Sequence, residues 1–396
     1  LGGFLIYYTS TNFNFLVNFD DDTLILNSPE IQQFTWENVS YLFANTKDGL
    51  YHPITSLTWQ IEHFFFGLDP FYYHLDNIIL HLINALLLFF FIKTLFNDYK
   101  VALITTLLFA IHPMHVENVS WISSRKDLVY SFFFLLSLFQ YTKFKKSGRN
   151  LNFIFSILFF LLSLLSKANA VVLPALFLLL DWFLADKNWK KNLLRQLPLF
   201  LISGAFVILT INAQKSAGFI ADSVTTYSII DRFFMLSYSL LHYIFNLFAP
   251  ITLSPKNFYP IKLEGILPLI YYASTFILTA IAFISFKSKH KKYLLFGFLF
   301  LVITLGPVLK IIPTGNDIVS NRYAYMPFIG LYAVLAYLVF KLNKTWIKGL
   351  GLLLILAFAY KSYNYQFTYE NSVSVWSAVI EKSKDNNWAN AMAYNE

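Results

Sequence analysis

The chain contains no cysteine among its 396 residues, so it can form neither disulfide bonds nor thiolate metal sites. Charged residues are also scarce, at 13% of the sequence. The net charge of +8 does not indicate nucleic-acid binding, because the Lys and Arg side chains occur in short clusters between apolar runs. We therefore expect no nucleic-acid partner.

Apolar and aromatic residues dominate what remains. Hydrophobic residues make up 57% of the chain, which includes 44 Phe and 25 Tyr. Several apolar runs approach the roughly 20 residues that an α-helix needs to cross a bilayer. Helices satisfy their backbone groups internally, where lipid cannot. The composition predicts an all-α polytopic membrane protein.

The basic clusters orient the predicted spans, because cytoplasmic loops carry an excess of Lys and Arg. We expect about 11 spans, with the sequence beginning inside the first, and an interfacial or re-entrant helix at 233–248. The predicted spans are roughly 1–10, 75–96, 101–111, 128–142, 151–166, 170–185, 197–213, 266–286, 293–309, 326–340 and 349–361.

This topology divides the chain into two predicted parts. Residues 1–365 form the membrane domain, and residues 11–72 are its long first extracytoplasmic loop. Residues 366–396 are polar and helix-prone, and they resemble the opening of a helical-hairpin repeat on the same side.

The first loop contains three consecutive carboxylates, Asp20, Asp21 and Asp22. Such a run is usually a solvated loop or a helix N-cap. A second interpretation is chemical, because carboxylates beside a membrane can serve as bases. The spacing alone leaves both open.

Polar residues also occur where lipid should be. His74, Asn77, His81 and Asn84 are spaced by three, four and three residues, which places them on one inward-facing side of a helix. They either form interhelical hydrogen bonds or line a substrate path.

Further candidates flank the later spans. His112, His115 and Glu117 could bind a metal, but Pro113 interrupts the helix and no fourth ligand is evident. Cationic side chains at the membrane surface either snorkel to the interface or bind a lipid phosphate. These cationic candidates are Arg125, Lys126, Lys167 and Arg322.

Taken in order, these segments resemble the transmembrane-and-tetratricopeptide O-mannosyltransferases and their bacterial relatives, which are membrane glycosyltransferases of the GT-C fold. The matching pieces lie between residues 19 and 330. They are Asp20-Asp21-Asp22 through Pro29, Tyr51-His52-Pro53, Gly67-Leu68-Asp69-Pro70 with His74 and Asn77, His81-Leu82-Ile83-Asn84, Phe109 to His115 with Glu117 and Trp121, Arg125-Lys126-Asp127, Leu165-Ser166-Lys167, Phe258-Tyr259-Pro260 and Asn321-Arg322-Tyr323 through Pro327. The chain departs from the family at Asn321 and Ser124, where acidic residues are common.

The resemblance implies sugar transfer, with mannose or another hexose leaving a polyprenyl-phosphate carrier. The acceptor would be a polypeptide, at Ser or Thr hydroxyls, or a glycan outside the cytoplasm. Asp20 or Asp21 would be the base, with Asp22 in support. The donor phosphate would lie against Arg125, Lys126, Lys167 and Arg322. The implied substrate pocket contains His52, His74, Asn77, His112, His115, Glu117 and Tyr259.

The chemistry suits these residues. A carboxylate base activates a hydroxyl nucleophile, and a lipid phosphate leaves without needing a general acid. Direct attack would invert the anomeric carbon. No cofactor is required, although a divalent metal on the carboxylates stays open.

The composition favours a bacterial plasma membrane. The alternatives are a noncatalytic scaffold of an envelope assembly and a lipid-linked sugar flippase or transporter, the latter expected to show inverted repeats.

Overall fold

The computed structural model describes residues 2–219, 227–251, 253–262, 265–311, 317–342 and 344–382. Within these ranges the regular elements are helical, and the extended backbone is limited to two isolated bridges, Lys47–Leu50 and Phe258–Asp317. The predicted all-α class is confirmed. The α-helices are α1 (Gly2–Tyr7), α2 (Pro29–Gln32), α3 (Trp36–Ala44), α4 (Pro53–Phe66), α5 (Pro70–Phe96), α6 (Tyr99–Ile111), α7 (Val116–Ser120), α8 (Arg125–Ser147), α9 (Asn150–Ser166), α10 (Leu173–Phe183), α11 (Trp189–Ser216), α12 (Ile229–Phe248), α13 (Leu269–Lys287), α14 (Lys291–Leu305), α15 (Phe328–Leu342), α16 (Thr345–Tyr365) and α17 (Ser372–Lys382).

Short irregular helices join several of these elements. Asp22–Leu26 is a single wide helical turn. The 3₁₀ turns are Tyr8–Asn12, Pro113–His115, Ile122–Ser124, Ala168–Val172, Gly306–Val308, Asn321–Ala324 and Gln366–Tyr369.

Five helices in the described ranges are long and apolar enough to cross a membrane, namely α5, α11, α13, and the continuous stretches Lys291–Val308 and Thr345–Tyr369. A sixth span is possible if α6 and the segment Pro113–Ser120 are taken together, although they bend by 55°. The chain is therefore a multi-pass membrane protein. Helices α9 and α15 are apolar but shorter, and the predicted count of 11 spans stays a prediction.

One predicted segment, the first loop, differs from the simple expectation, and a second is helical as predicted. The first loop, 11–72, contains the helices α2, α3 and α4 instead of irregular chain. Local caps explain this, because Thr35 Oγ1 accepts a hydrogen bond from Asn38 N and proline begins α4 at the position where its missing N–H costs nothing. Helix α12 covers 233–248; its interfacial or re-entrant placement stays a prediction.

Two lysines near the end of α8, Lys145 and Lys146, join several helix ends at one end of the bundle. Lys145, near the end of α8, forms ion pairs with Asp181 at 2.9 Å and with Asp186, and it contacts Asn192 at the start of α11. Lys146 reaches the Thr94 carbonyl near the end of α5. Because α8 has 23 residues, its other end lies about 30 Å away. The other end carries Lys126.

Helices α14 and α15 cross at two glycines. A Cβ atom on Gly330 would lie 2.6 Å from Phe300 Cβ, and one on Gly297 would lie 2.7 Å from Val334 Cγ2. Only small residues allow this approach, as in many membrane helix pairs. The contact fixes the start of α15, directly after the segment that carries Arg322.

The C-terminal tail begins as a helix, α17. Residues 383–396, which hold Trp388 and the rest of the predicted repeat segment, lie outside the described residues. The assignment of 366–396 as the start of a tetratricopeptide-like region stays a prediction.

Candidate active site

A cleft of about 680 Å³ opens at the end of the bundle opposite the Lys145 cluster. Its walls come from the first loop, the turn before α4, the start of α8, the chain between α9 and α10, and the segment before α15. The charged side chains that line it are Asp20, Asp22, Asp48, Lys126, Lys167, Lys256, Lys310, Asp317 and Arg322.

The three consecutive carboxylates have three different environments. The Asp20 side chain is 43% exposed, lines the cleft, and accepts a hydrogen bond of 2.6 Å from Lys126 Nζ. Asp22 also borders the cleft, but one of its oxygens accepts from Asn18 N at 2.9 Å and caps the local turn. Asp21 is fully buried. The three adjacent aspartates are therefore not equivalent in the folded chain.

Asp21 ties the first loop to the segment before α8. One carboxylate oxygen accepts from Leu16 N and the other from Ser123 N, both at 2.9 Å. Burial raises the pKa of Asp21 to about 6, although these two amides oppose the rise. Because Ser123 lies three residues before Lys126, this link holds Asp20 beside its cation.

Opposing influences act on the Asp20 carboxyl. Partial burial raises its pKa, but the Lys126 ammonium, helped by Arg322 and Lys256, outweighs that effect and lowers the pKa to about 2. Asp20 is therefore ionised at neutral pH. In this resting arrangement its charge is neutralised by Lys126, which weakens it as a base.

Three of the predicted donor-phosphate cations line the cleft, each with a carboxylate partner. Lys126 pairs with Asp20, whereas Lys167 pairs with Asp127 at 2.6 Å. Arg322 Nη1 donates to Glu117 Oε1 at 2.6 Å, and its guanidinium lies over Trp121 and Tyr323. These ion pairs fix the three cations in position, and all three side chains still line the cleft.

The fourth predicted cation, Arg125, lies elsewhere. It is 1% exposed and makes a bidentate pair with Glu62. It also donates to Asn77 Oδ1 at 2.8 Å and to the Tyr73 carbonyl at 2.6 Å. Adjacent residues on a helix point about 100° apart, so Lys126 faces the cleft and Arg125 faces α4 and α5. The structure therefore does not bring Arg125 to the cleft.

Of the predicted pocket residues, His52 lines the cleft. Its Nδ1 lies 3.0 Å from Ser56 Oγ. Burial, together with Lys126 and Lys167, lowers the pKa of His52 to about 3, so its imidazole is neutral. A hydrogen bond of 3.0 Å from Thr55 Oγ1 to the Ser166 carbonyl joins α4 to α9 and brings His52 close to Lys167.

The other predicted pocket residues do not line the cleft. Asn77 donates to the Trp121 carbonyl at 3.1 Å, and His74 packs edge-on against Phe13. Glu117 supports Arg322 from behind. Tyr259 stacks on Tyr227, 5.6 Å between ring centres. These contacts support the walls of the site.

His112 and His115 bond to backbone carbonyls. His112 Nε2 lies 3.2 Å from the Leu247 carbonyl, and His115 Nδ1 lies 2.7 Å from that of Phe109. Across the described residues no three His, Asp or Glu side chains are grouped to hold a metal ion. The arrangement therefore does not support the metal interpretation of these two histidines.

The two remaining polar residues of the predicted stripe on α5 also bond to neighbouring segments. His81 Nδ1 lies 2.8 Å from Tyr325 Oη, and Asn84 Nδ2 donates to the Leu128 carbonyl at 2.9 Å. Both are interhelical hydrogen bonds. They belong to packing and not to a path through the membrane.

Sequence reasoning missed several cleft residues. Lys256 follows a long gap without a motif, although it lies two residues before Phe258-Tyr259-Pro260. Tyr323 follows Arg322; burial raises its pKa, but Arg322, Lys310 and Lys167 lower it overall. Asp317 accepts a hydrogen bond from Asn257 N at 3.2 Å, which joins the Lys256 loop to the Arg322 segment. Nothing in the sequence around Asp317 indicated this.

Comparisons with known proteins agree with the resemblance. Residues 53–214 match the model of the family described as dolichyl-phosphate-mannose-protein mannosyltransferase. The human protein O-mannosyl-transferase TMTC1 is 26% identical over 87% of this chain and 46% of its own length. The Caenorhabditis elegans protein O-mannosyl-transferase F38B6.6 is 24% identical over 72% of this chain and 42% of its own.

The chain spans less than half the length of these two relatives. A structure of ArnT from Cupriavidus metallidurans bound to undecaprenyl phosphate overlaps 97% of this chain and 77% of that one, at 11% identity and a TM-score of 0.49. The Archaeoglobus fulgidus oligosaccharyltransferase overlaps 97% and 54%, at 16% identity and 0.46. The sequence matches confirm the resemblance to the O-mannosyl-transferases.

Proposed function

We propose that this relative of the protein O-mannosyl-transferases is itself a membrane glycosyltransferase. It moves a hexose, with mannose the first candidate, from a polyprenyl-phosphate carrier to Ser or Thr hydroxyls of extracytoplasmic polypeptides. The observation that carries the proposal is the Asp20 carboxylate in the cleft, 2.6 Å from Lys126, with Lys167 and Arg322 on the same walls. The cleft thus combines a base with positive charge for a departing phosphate.

In the proposed reaction the acceptor oxygen attacks the anomeric carbon while the bond from that carbon to the phosphate oxygen breaks. The acceptor proton passes to Asp20, and the lipid phosphate leaves as an anion. Direct displacement inverts the anomeric configuration. Lys167 and Arg322 stabilise the charge that develops on the phosphate, and Arg suits this role because its planar group can bind two oxygens.

Lys126 connects donor binding to the base. A donor phosphate at Lys126 would share the ammonium that now neutralises Asp20. The partial burial that raises the pKa of Asp20 would then be less opposed, and the carboxylate would become a stronger base. On this mechanism the donor binds before Asp20 becomes fully competent.

The pH dependence of kcat/KM tests the Asp20–Lys126 pair. A base must be ionised, and Asp20 has a pKa of about 2; we therefore expect no acidic limb in the native chain above about pH 4. Lys126→Gln removes the main counter-charge, so the pKa of Asp20 rises and an acidic limb should enter the measurable range. Initial rates across pH give the comparison.

Lys143→Gln is the matched control for that profile, because Lys143 is exposed near the far end of the same helix. Its profile should match that of the native chain. If the Lys126→Gln profile also shows no acidic limb, the result counts against Asp20 as the base that Lys126 controls.

Donor affinity tests Arg322. We expect Arg322→Ala to raise the KM for a polyprenyl-phosphate hexose by roughly tenfold or more, since a hydrogen bond to a charged group contributes about 1.5–3 kcal/mol. The KM of Arg322→Lys should lie between those of the native chain and Arg322→Ala, because Lys keeps the positive charge but cannot bind two oxygens at once. The assay uses purified protein in liposomes.

Arg149→Ala serves as the comparison, because Arg149 is exposed at the opposite end of the bundle. It should leave the donor KM unchanged. If Arg322→Ala also leaves it unchanged while the protein remains folded, Arg322 is an interfacial anchor and the phosphate role is withdrawn.

A further inference from the structure

The C-terminal helix α17 packs against the loop that carries Asp20, although about 350 residues separate them in sequence. The ring of Phe19, the residue directly before Asp20, meets Trp376 of α17 edge-on, with 5.7 Å between ring centres. On another side Phe19 meets Trp121 edge-on at 5.0 Å. The Lys256 ammonium lies 5.2 Å from the Phe19 ring centre. Phe19 therefore contacts two tryptophans and a cation while remaining partly exposed.

Backbone and core contacts extend this connection. Asn14 N donates to the Glu370 carbonyl at 3.0 Å, just before α17. Val375 of α17 is fully buried in one cluster with Leu16 and Trp121, and Phe19 packs against that cluster. The tail therefore contacts the first loop on both sides of Leu16, whose amide binds Asp21.

The contacts face one side of α17 only. Val373 on the same helix is 74% exposed, whereas Val375 is fully buried. Asn371 Oδ1 accepts from Ser374 N at 3.0 Å and fixes the first turn of the helix. The orientation of Trp376 toward Phe19 is thus set by the helix itself.

We propose that Trp376 is a positioning residue for the transfer reaction: through Phe19 it holds the Asp20 carboxylate in register with the cleft. The catalytic part of this inference rests on the proposed function. A displacement of about 1 Å at a reacting group can reduce a rate by about 100-fold, and Phe19 is one residue from that group. On this proposal the tail helix α17 belongs to the catalytic unit.

Steady-state kinetics of the full chain in liposomes test the proposal. We expect Trp376→Ala to lower kcat by about tenfold, since Asp20 loses its fixed placement. The KM for a polyprenyl-phosphate hexose should stay within about twofold, because Lys167 and Arg322 are held by Asp127 and Glu117, which lie outside α17. Trp376→Phe, which keeps a ring against Phe19, should recover most of kcat. Val373→Ala is the matched control and should behave as the native chain.

A double-mutant cycle makes the test specific to the pair. If Trp376 acts through Phe19, the losses in kcat for Phe19→Leu and Trp376→Ala should be strongly non-additive, because the second change removes a contact already lost. Additive losses, or a native kcat in Trp376→Ala, overturn the proposal. Equal losses of kcat and donor affinity together with reduced thermal stability also overturn it, since they indicate a structural role.

Amide hydrogen exchange separates this inference from the proposed function. Trp376→Ala should speed exchange in residues 13–19, while the amides of α5 keep their protection. If the native chain transfers no sugar but exchange responds in this way, the proposed function fails and the coupling of tail to loop stands. If exchange is unchanged in Trp376→Ala while the native chain transfers sugar, the coupling of tail to loop is refuted and the proposed function stands.

Discussion

We expect Asp20→Asn to lower kcat by about 10²–10⁴-fold, the usual contribution of a general base. The physical reason is that an amide cannot accept the acceptor's proton, although it occupies nearly the same volume. The Asp20 side chain is 43% exposed, so the fold should tolerate the change. Transfer of labelled hexose from a polyprenyl-phosphate donor, with thermal unfolding measured in parallel, gives the result.

Asp21→Asn provides the contrast. Both oxygens of Asp21 accept backbone amides, from Leu16 and Ser123. An Asn in that place turns an NH₂ group toward one of these donors, which should reduce thermal stability more than Asp20→Asn does. Full activity in Asp20→Asn would refute its assignment as the base. Full activity in variants of all three aspartates would favour the noncatalytic scaffold.

The largest effect on stability is expected at Arg125. Arg125→Met leaves the Glu62 carboxylate buried without its partner, and breaking a buried ion pair in this way typically costs about 3–5 kcal/mol. The pair is enclosed, with side chains 1% and 2% exposed. Thermal unfolding in detergent should show a markedly lower transition temperature, and the surviving folded protein should keep its donor KM.

The double variant Arg125→Met with Glu62→Leu tests the cause. Replacing both members of a buried pair by apolar groups is often tolerated, so the double variant should be more stable than Arg125→Met alone. If Arg125→Met unfolds at the native transition temperature but has a raised donor KM, Arg125 would instead be assigned to the proposed phosphate site.

Much of the architecture could be predicted from local pattern. The ends of α9, α13, α15 and α16 fall within a few residues of the predicted spans, because long apolar runs have few alternatives to a helix in a membrane. The helices inside 11–72 were not predicted, because polar and apolar residues mix there without a clear period. Their stability depends on caps, on their packing against one another, and on the packing of α4 against α8 and α9.

The residues of the cleft could be predicted only in part from the sequence. Asp20, Lys126, Lys167 and Arg322 were predicted from motifs spread over 300 residues, and the fold places all four around one cleft. Lys256 and Asp317 were not predicted, because their places in the cleft depend on the packing of one loop against another. The Asn257–Asp317 hydrogen bond makes that contact.

The sequence by itself determined that this is a helical membrane protein, because composition and the length of apolar runs act through local backbone and solvent energetics. It also supplied the chemical groups of the site. Only the tertiary structure decided which of the neighbouring groups Arg125 and Lys126 faces the cleft. It likewise separated Asp20 from Asp21, since burial and partners depend on contacts with residues about 100 positions away.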